Sequence, residues 1–279
     1  MRDRRVAAVV GRHARLDLVV GCRGGRTVLT HAYAEPPFHI GRVFEIGGAA
    51  YVIVVCAGPG VFAGDCLHQR VTVEGGARVL LASQSALQVH RTDSLDAAQV
   101  HHEYHVEEGG ELHCHWDPVI PFAGARLVER FDLQVARGGR LYWSDTLMSG
   151  RASRGEAWQC AAIDHELRLT IDGALKYLER YRLAPTERKL REPWMAGEAH
   201  YVGTTLVHHP RATSETAAEL QGRLEEIEGV RVGIDLVDRA LLVGRLLATT
   251  GVSCARARTV CREVILDAVF GRPELVARR

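Results

Sequence analysis

The chain has 279 residues, 47% apolar and 25% charged, enough to bury a sizeable core and within the range of one all-β domain. A formal net charge of +1 gives no long-range field that favours nucleic acid or an anionic membrane, so binding to either is not expected. Seven cysteines stand at 22, 56, 66, 114, 160, 254 and 261 without a Cys-x-x-Cys pair; they read as small buried apolar residues in a reducing compartment, not as disulfides or a thiolate zinc site.

In chain order, the charged stretch Met1–Arg5 precedes Val6–Val10, an apolar run too short for a secretory segment or a membrane span. A cytoplasmic location is expected. A β body follows, over about 10–212 and again 230–250. Its runs of alternating apolar residues are separated by Gly-Gly pairs at 24–25, 47–48, 75–76, 109–110 and 138–139. A tight reversal uses backbone conformations that glycine adopts freely, so each pair predicts a hairpin. In Leu127–Val135 the alternation aligns Phe131, Leu133 and Val135 on one face. The intervals between glycine pairs are irregular and support no strict solenoid repeat.

The last quarter changes period. Ala217, Leu220, Leu224 and Ile227 recur at helical spacing, with Ser214 as N-cap and Gly229 as stop, which predicts a helix over about 214–228. A strand-like run, Ala240–Leu247, comes next. Ala257, Val260, Cys261, Val264, Ile265, Ala268 and Val269 then predict a second helix over about 254–270, capped by Ser253 and ended by Gly271-Arg-Pro273. The predicted fold is all-β dominated: stacked, layered antiparallel hairpins with two C-terminal α-helices in a single domain spanning 1–279.

Histidines crowd the arms of the Gly109-Gly110 pair. Alternation puts His101, Glu103 and His105 on one face of the first arm and His113 and His115 on one face of the second. If the two faces pair, four imidazoles and a carboxylate converge on a borderline metal such as Ni²⁺ or Zn²⁺. The competing reading is a solvated polar strand face.

Three glycine-punctuated blocks carry the remaining chemistry: Gly58-Pro-Gly-Val-Phe-Ala-Gly-Asp65, which runs into a strand and then Gln84-Ser-Ala-Leu-Gln-Val-His-Arg91; Trp116-Asp-Pro-Val-Ile-Pro-Phe-Ala-Gly-Ala125; and Gly150-Arg-Ala-Ser-Arg-Gly-Glu156. Asp65 ends a glycine-rich loop, where a carboxylate can face a cavity or cap free N–H groups. Pro118 and Pro121 make their block a bend and not a central strand, and Phe122 reads as a core plug. Asp145 and Glu156 flank a glycine-bounded loop. They fit either a polar internal path or ion pairs with Arg151 or Arg154.

Together the blocks resemble the urease accessory protein family UreD, called UreH in some organisms. Asp65 stands at the family's Gly-Gly-Asp position, with Ala63 replacing the first glycine. Gln84 falls on its Thr-Thr-Gln-Ala-Ala-Thr-Lys block, where Gln88 replaces lysine; just beyond it His90 replaces an aromatic residue. Gly150, Arg151, Gly155 and Glu156 match Gly-Arg-x-x-x-Gly-Glu. The resemblance implies a non-enzymatic scaffold that binds apo-urease together with UreF and the GTPase UreG and guides nickel along an internal water-filled route. It implies no tightly bound cofactor, only transient Ni²⁺. On this reading Asp65, Gln84, Asp145 and Glu156 belong to the cavity or nickel path, and Gly58, Gly60, Gly64, Pro121, Phe122, Gly150 and Gly155 form its framework. Two alternatives stay open: a β-structured metal enzyme using the 101–115 histidines, and an interaction module that ignores metal. No Gly-x-Ser-x-Gly elbow, phosphate loop or dinucleotide fingerprint supports the enzyme.

Overall fold

Alternation of apolar and polar residues persists through most of the chain, and the computed structural model, which describes residues 11–276, turns it into eighteen strands in two facing sheets. In chain order they are β1 (His13–Arg23), β2 (Arg26–Ala34), β3 (Phe38–Ile40), β4 (Phe44–Ile46), β5 (Ala49–Cys56), β6 (Cys66–Val73), β7 (Arg78–Ser83), β8 (Leu87–Val89) and β9 (Ala98–Val106). Then come β10 (Glu111–His115), β11 (Val119–Pro121), β12 (Arg126–Val135), β13 (Arg140–Met148), β14 (Ala162–Ile171), β15 (Ala174–Leu183), β16 (Tyr201–His208), β17 (Val230–Asp238) and β18 (Leu241–Ala248). The Val6–Val10 run lies outside the described residues.

The first sheet runs β15-β14-β12-β9-β6-β1-β2 and the second β17-β18-β16-β13-β10-β7-β5-β3. Layering, strand dominance and two late helices agree with the sequence reading. The strand pairing does not. Gly24-Gly25 and Gly47-Gly48 close antiparallel pairs, β1 with β2 and β4 with β5. The pairs at 75–76, 109–110 and 138–139 instead carry the chain from one sheet to the other, and the arms pair in parallel with the coils before and after, as β6–β9–β12–β14 and β5–β7–β10–β13. A sharp turn needs the same backbone chemistry whether it returns to a neighbouring strand or to a facing sheet. The corners also stack, with the Gly76 N–H donating to the Gly109 carbonyl at 3.3 Å.

Inward residues of the two sheets form the main core, including Leu16, Leu18, Val71, Leu81, Leu112, Leu133 and Leu141. Trp143 is fully buried at its centre, with Phe131 and Tyr104 meeting it edge-on at 5.0 and 5.1 Å. The opposite face of the second sheet presents Tyr142, Val207 and Leu242 to a helical layer. There α1 (Ser214–Glu225) buries Ala217, Leu220 and Leu224, and α2 (Gly251–Val264), widened into a π segment over Ile265–Phe270, buries Ala257, Cys261 and Ile265. Both caps lie earlier than the sequence suggests. Thr213, not Ser214, accepts from the Thr216 N–H; Thr250 caps α2, and Ser253 is its reciprocal partner in a capping box. No helix among the described residues is long and apolar enough to cross a membrane.

Candidate functional site

The three punctuated blocks and the Gln84–Arg91 segment meet at one end of the sandwich. A Cβ on Gly60, whose φ is +122°, would sit 2.2 Å from the Gln88 carbonyl oxygen; one on Gly150 would come 2.9 Å from the Pro121 oxygen and 2.6 Å from that of Glu156. Only glycine lets these segments pass so closely. The Val61 N–H donates to Gln88 O, and the Phe122 N–H to Val89 O, each at 2.9 Å. Side chains then stack across the joins. Phe62 lies flat on His90 at 4.3 Å, His90 meets the edge of Phe122 at 4.8 Å, and the Arg151 guanidinium sits over Phe122 at 3.8 Å. Phe122 is therefore a half-buried surface cap and not a core plug, because the glycine loops hold it outside the sheets.

Asp65 anchors this corner. Its buried carboxylate accepts from the Arg12 and Phe62 backbone N–H groups at 2.8 and 2.9 Å and from the Arg12 guanidinium at 2.7 Å. Burial opposes ionisation, but these donors hold its pKa below the usual carboxylate value. A second Arg12 bond, to Gly60 O at 2.8 Å, ties Asp65 to a loop that lines the interior cavity without placing Asp65 in the wall. Glu156 is engaged similarly, in a two-bond pair with Arg151 at 2.6 and 2.7 Å that closes the 150–156 loop. Gln84 is exposed.

Between the sheets lies a cavity of about 130 Å³, large enough for several water molecules. One end is walled by Gly58, Pro59, Gly60, Ser83 and Ser85, the other by Glu129, Asp145, His165, Tyr181 and Thr204. Register explains the polar end. Glu129 pairs with His165 and His165 with Tyr181 on the first sheet, while Asp145 pairs with Thr204 and Thr204 with Arg245 on the second. Polar rows on strands whose other inward residues are apolar thus face each other across the interlayer. Glu129 accepts from His165 Nδ1 at 3.3 Å, and Glu179 accepts from Tyr177 at 2.9 Å and Thr204 at 3.2 Å while paired with Arg245. Among the described residues, no side-chain hydrogen bond or ion pair holds the Asp145 carboxylate.

Burial raises the Asp145 pKa to about 7, the nearby Glu179 and Glu129 add to the rise, and His165 and Arg245 oppose it. Burial would lower His165, but the Glu129 hydrogen bond and the surrounding carboxylates raise it instead. His102, on the inner face of β9, is pushed down to about 3 by burial and stays neutral. The site is thus a group of cation-attracting oxygens and imidazoles, one of which changes charge near neutral pH. Of the sequence candidates, Asp145, Gly58 and Gly60 line it. Glu129, His165, Glu179 and Arg245 went unnoticed, although Glu129 shares the core-facing parity of Phe131 and Leu133.

The four expected metal histidines do not converge. Their arms belong to different sheets: His101 and His105 lie on the outer face of the first, and His113 and His115 on the helix-facing side of the second. His113 is fully buried, with its Nε2 2.8 Å from Glu111 and its ring edge-on to Phe270 at 4.5 Å. Glu111 gathers Arg78, Arg140 and Arg272 as well; burial works against it, yet these partners hold its pKa at about 2.

A family model described as UreD urease accessory protein matches residues 12–279. Among curated relatives, Urease accessory protein UreD of Sorangium cellulosum is 33% identical over 207 residues, 74% of this chain and just under two thirds (65%) of that protein. Urease accessory protein UreD 2 of Streptomyces griseus is 29% identical over 92% of this chain and 90% of its own length. For Urease accessory protein UreD of Deinococcus radiodurans the values are 28%, 96% and 95%.

Proposed function

The chain belongs to the UreD family of urease accessory proteins, and from that premise we propose that it is a non-enzymatic maturation factor that delivers nickel to apo-urease in company with UreF- and UreG-type partners. The observation that carries this reading is the cavity between the sheets, glycine-walled at one end and lined at the other by Glu129, Asp145 and His165. Carboxylates and imidazoles suit a borderline cation such as Ni²⁺ as cargo. A route must bind weakly enough to release. Here Glu129 is engaged by His165 and Glu179 by Arg245, Tyr177 and Thr204, so an arriving ion competes with existing partners. Asp145 is the exception and serves as the principal station on the path. Asp65 and Glu156 act at a distance, holding the loops that border the mouth, and Gln84 lies outside on the same segment as the wall residues Ser83 and Ser85.

The metal-enzyme alternative loses its constellation, because His101 and His105 lie on the outer face of the first sheet while His113 and His115 are buried between the second sheet and the helices. The test is co-expression with the urease gene cluster. Asp145→Asn and Glu179→Gln should each lower urease nickel content and activity at least about tenfold, with capture of urease subunits and UreF unchanged. Full activation by both variants would overturn the path. Failure to capture urease subunits with the wild-type chain would overturn the scaffold.

A further inference from the structure

We propose that the outer face of the first sheet carries a second, peripheral site for a divalent transition metal, formed by His68, His101 and Glu103 and separate from the interior cavity. His68 on β6 pairs directly with His101 on β9, and Glu103 follows two residues later on the same face. The sheet itself thus sets the spacing. One donor atom from each residue lies within 4.8 Å of the other two, and the two imidazole rings are 5.1 Å apart.

The second observation is the spacing of the closest pair. His68 Nε2 is buried and lies 3.2 Å from Glu103 Oε1. Two ligands of one tetrahedral ion, with bonds of 2.0–2.2 Å, stand about 3.3 Å apart. The pair is therefore already at the edge length such an ion requires, and rotation of the His101 ring supplies the third ligand. Two imidazoles and one carboxylate suit Zn²⁺, Ni²⁺ or Co²⁺ and not Mg²⁺ or Ca²⁺. His68 and Glu103 are about a quarter exposed (28 and 22%), so remaining coordination positions open to solvent. Arg70, bonded to Glu103 Oε2 at 2.8 Å, and Arg130, opposite His101 on β12, set a repulsive limit on affinity and make the ion exchangeable.

The experiment is calorimetric titration of the chelator-treated full chain with Zn²⁺ and with Ni²⁺. His68→Ala and His101→Ala should each weaken one binding event at least about tenfold, and Glu103→Gln, which keeps the shape, should do the same. Arg70→Gln should strengthen it several-fold, a gain that a purely structural ion-pair ladder does not predict. Asp145→Asn should leave this event unchanged, which separates the peripheral site from the interior one. Should the alanine variants fail to fold by circular dichroism, Glu103→Gln and Arg70→Gln decide alone. Identical isotherms for the wild type and all folded variants would overturn the site.

Discussion

Asp145 lies on an inward-facing strand position with no side-chain hydrogen bond or ion pair among the described residues, and its raised pKa makes it a source of pH-dependent instability. Its folded value of about 7 stands above the unfolded 3.8. The folded state therefore holds the proton more tightly; stability from this group is full below about pH 4 and falls away as pH rises through 7. Asp145→Asn, which cannot ionise, should gain melting temperature over the wild type as pH goes from 5 to 8, and a difference that stays flat across that range would contradict the buried-carboxylate assignment. Glu111 behaves in the opposite sense. Its folded pKa of about 2 lies below the unfolded 4.5, so its contribution is present above pH 4.5 and disappears as pH falls toward 2. Glu111→Gln should cost about 2 kcal/mol at pH 7, since it leaves Arg78, Arg140 and Arg272 crowded without a counter-charge while solvent screens part of the loss. The penalty should shrink at pH 3, measurable by urea unfolding at the two pH values. Asp145 was legible because it flanked a motif. Glu129 and His165 were hidden because a polar residue at a core-facing position looks like a lapse in alternation until the facing sheet supplies its counterpart.

Strands and helices were more legible than the way they pair. Period-two runs located most strands, and the period-3.6 runs located both helices within a few residues, because burial on one face leaves its period in the sequence. Pairing partners leave no such mark. The coils start at 66, 98, 126 and 162, steps of 32, 28 and 36 residues, so unequal excursions between β strands erase the repeat that would have announced parallel stacking. Caps shifted for a related reason: Thr and Ser are both competent, and Thr250 and Ser253 turn out to serve as a reciprocal pair. Thr250→Ala should cost about 1 kcal/mol, against no change for Val252→Ala on the exposed side of the same turn; equal denaturation midpoints for both would remove the capping box as a determinant. At the motif corner, Gly60→Ala must move the Gln88 backbone and hold alanine at φ +122°, a cost of about 2–3 kcal/mol. Ala86→Gly, a nearby change without that clash, provides the comparison in the same unfolding assay.

At the scale of the whole molecule, the sandwich closes neither sheet among the described residues: β2 and β15 end the first sheet, whereas the outer edge of β17 in the second is covered by α1, whose Gln221 side chain bonds the Val232 carbonyl and the Ile234 N–H. Such edges invite association. On β15 the charges of Lys176, Arg180 and Arg182 discourage self-pairing, yet Leu175 and Leu178 are half exposed between them, and Trp194 on the adjoining segment is 77% exposed. Apolar groups scattered singly are ordinary on a monomer, so the open strand edge beside them is the feature that a protein partner would complete. If a UreF-type partner binds the folded form only, linkage requires stabilisation that grows with its concentration, about 2.7 kcal/mol at one hundred times the dissociation constant. For a chain of this size that corresponds to a rise of about 5–8 °C in melting temperature. Differential scanning fluorimetry with increasing partner reads the shift directly, and Trp194→Ser should reduce it if the exposed indole is part of the contact. A chain that stays monodisperse at high concentration, with a melting temperature that does not move when the partner is added, would defeat this account of the open edges and the assembly it serves.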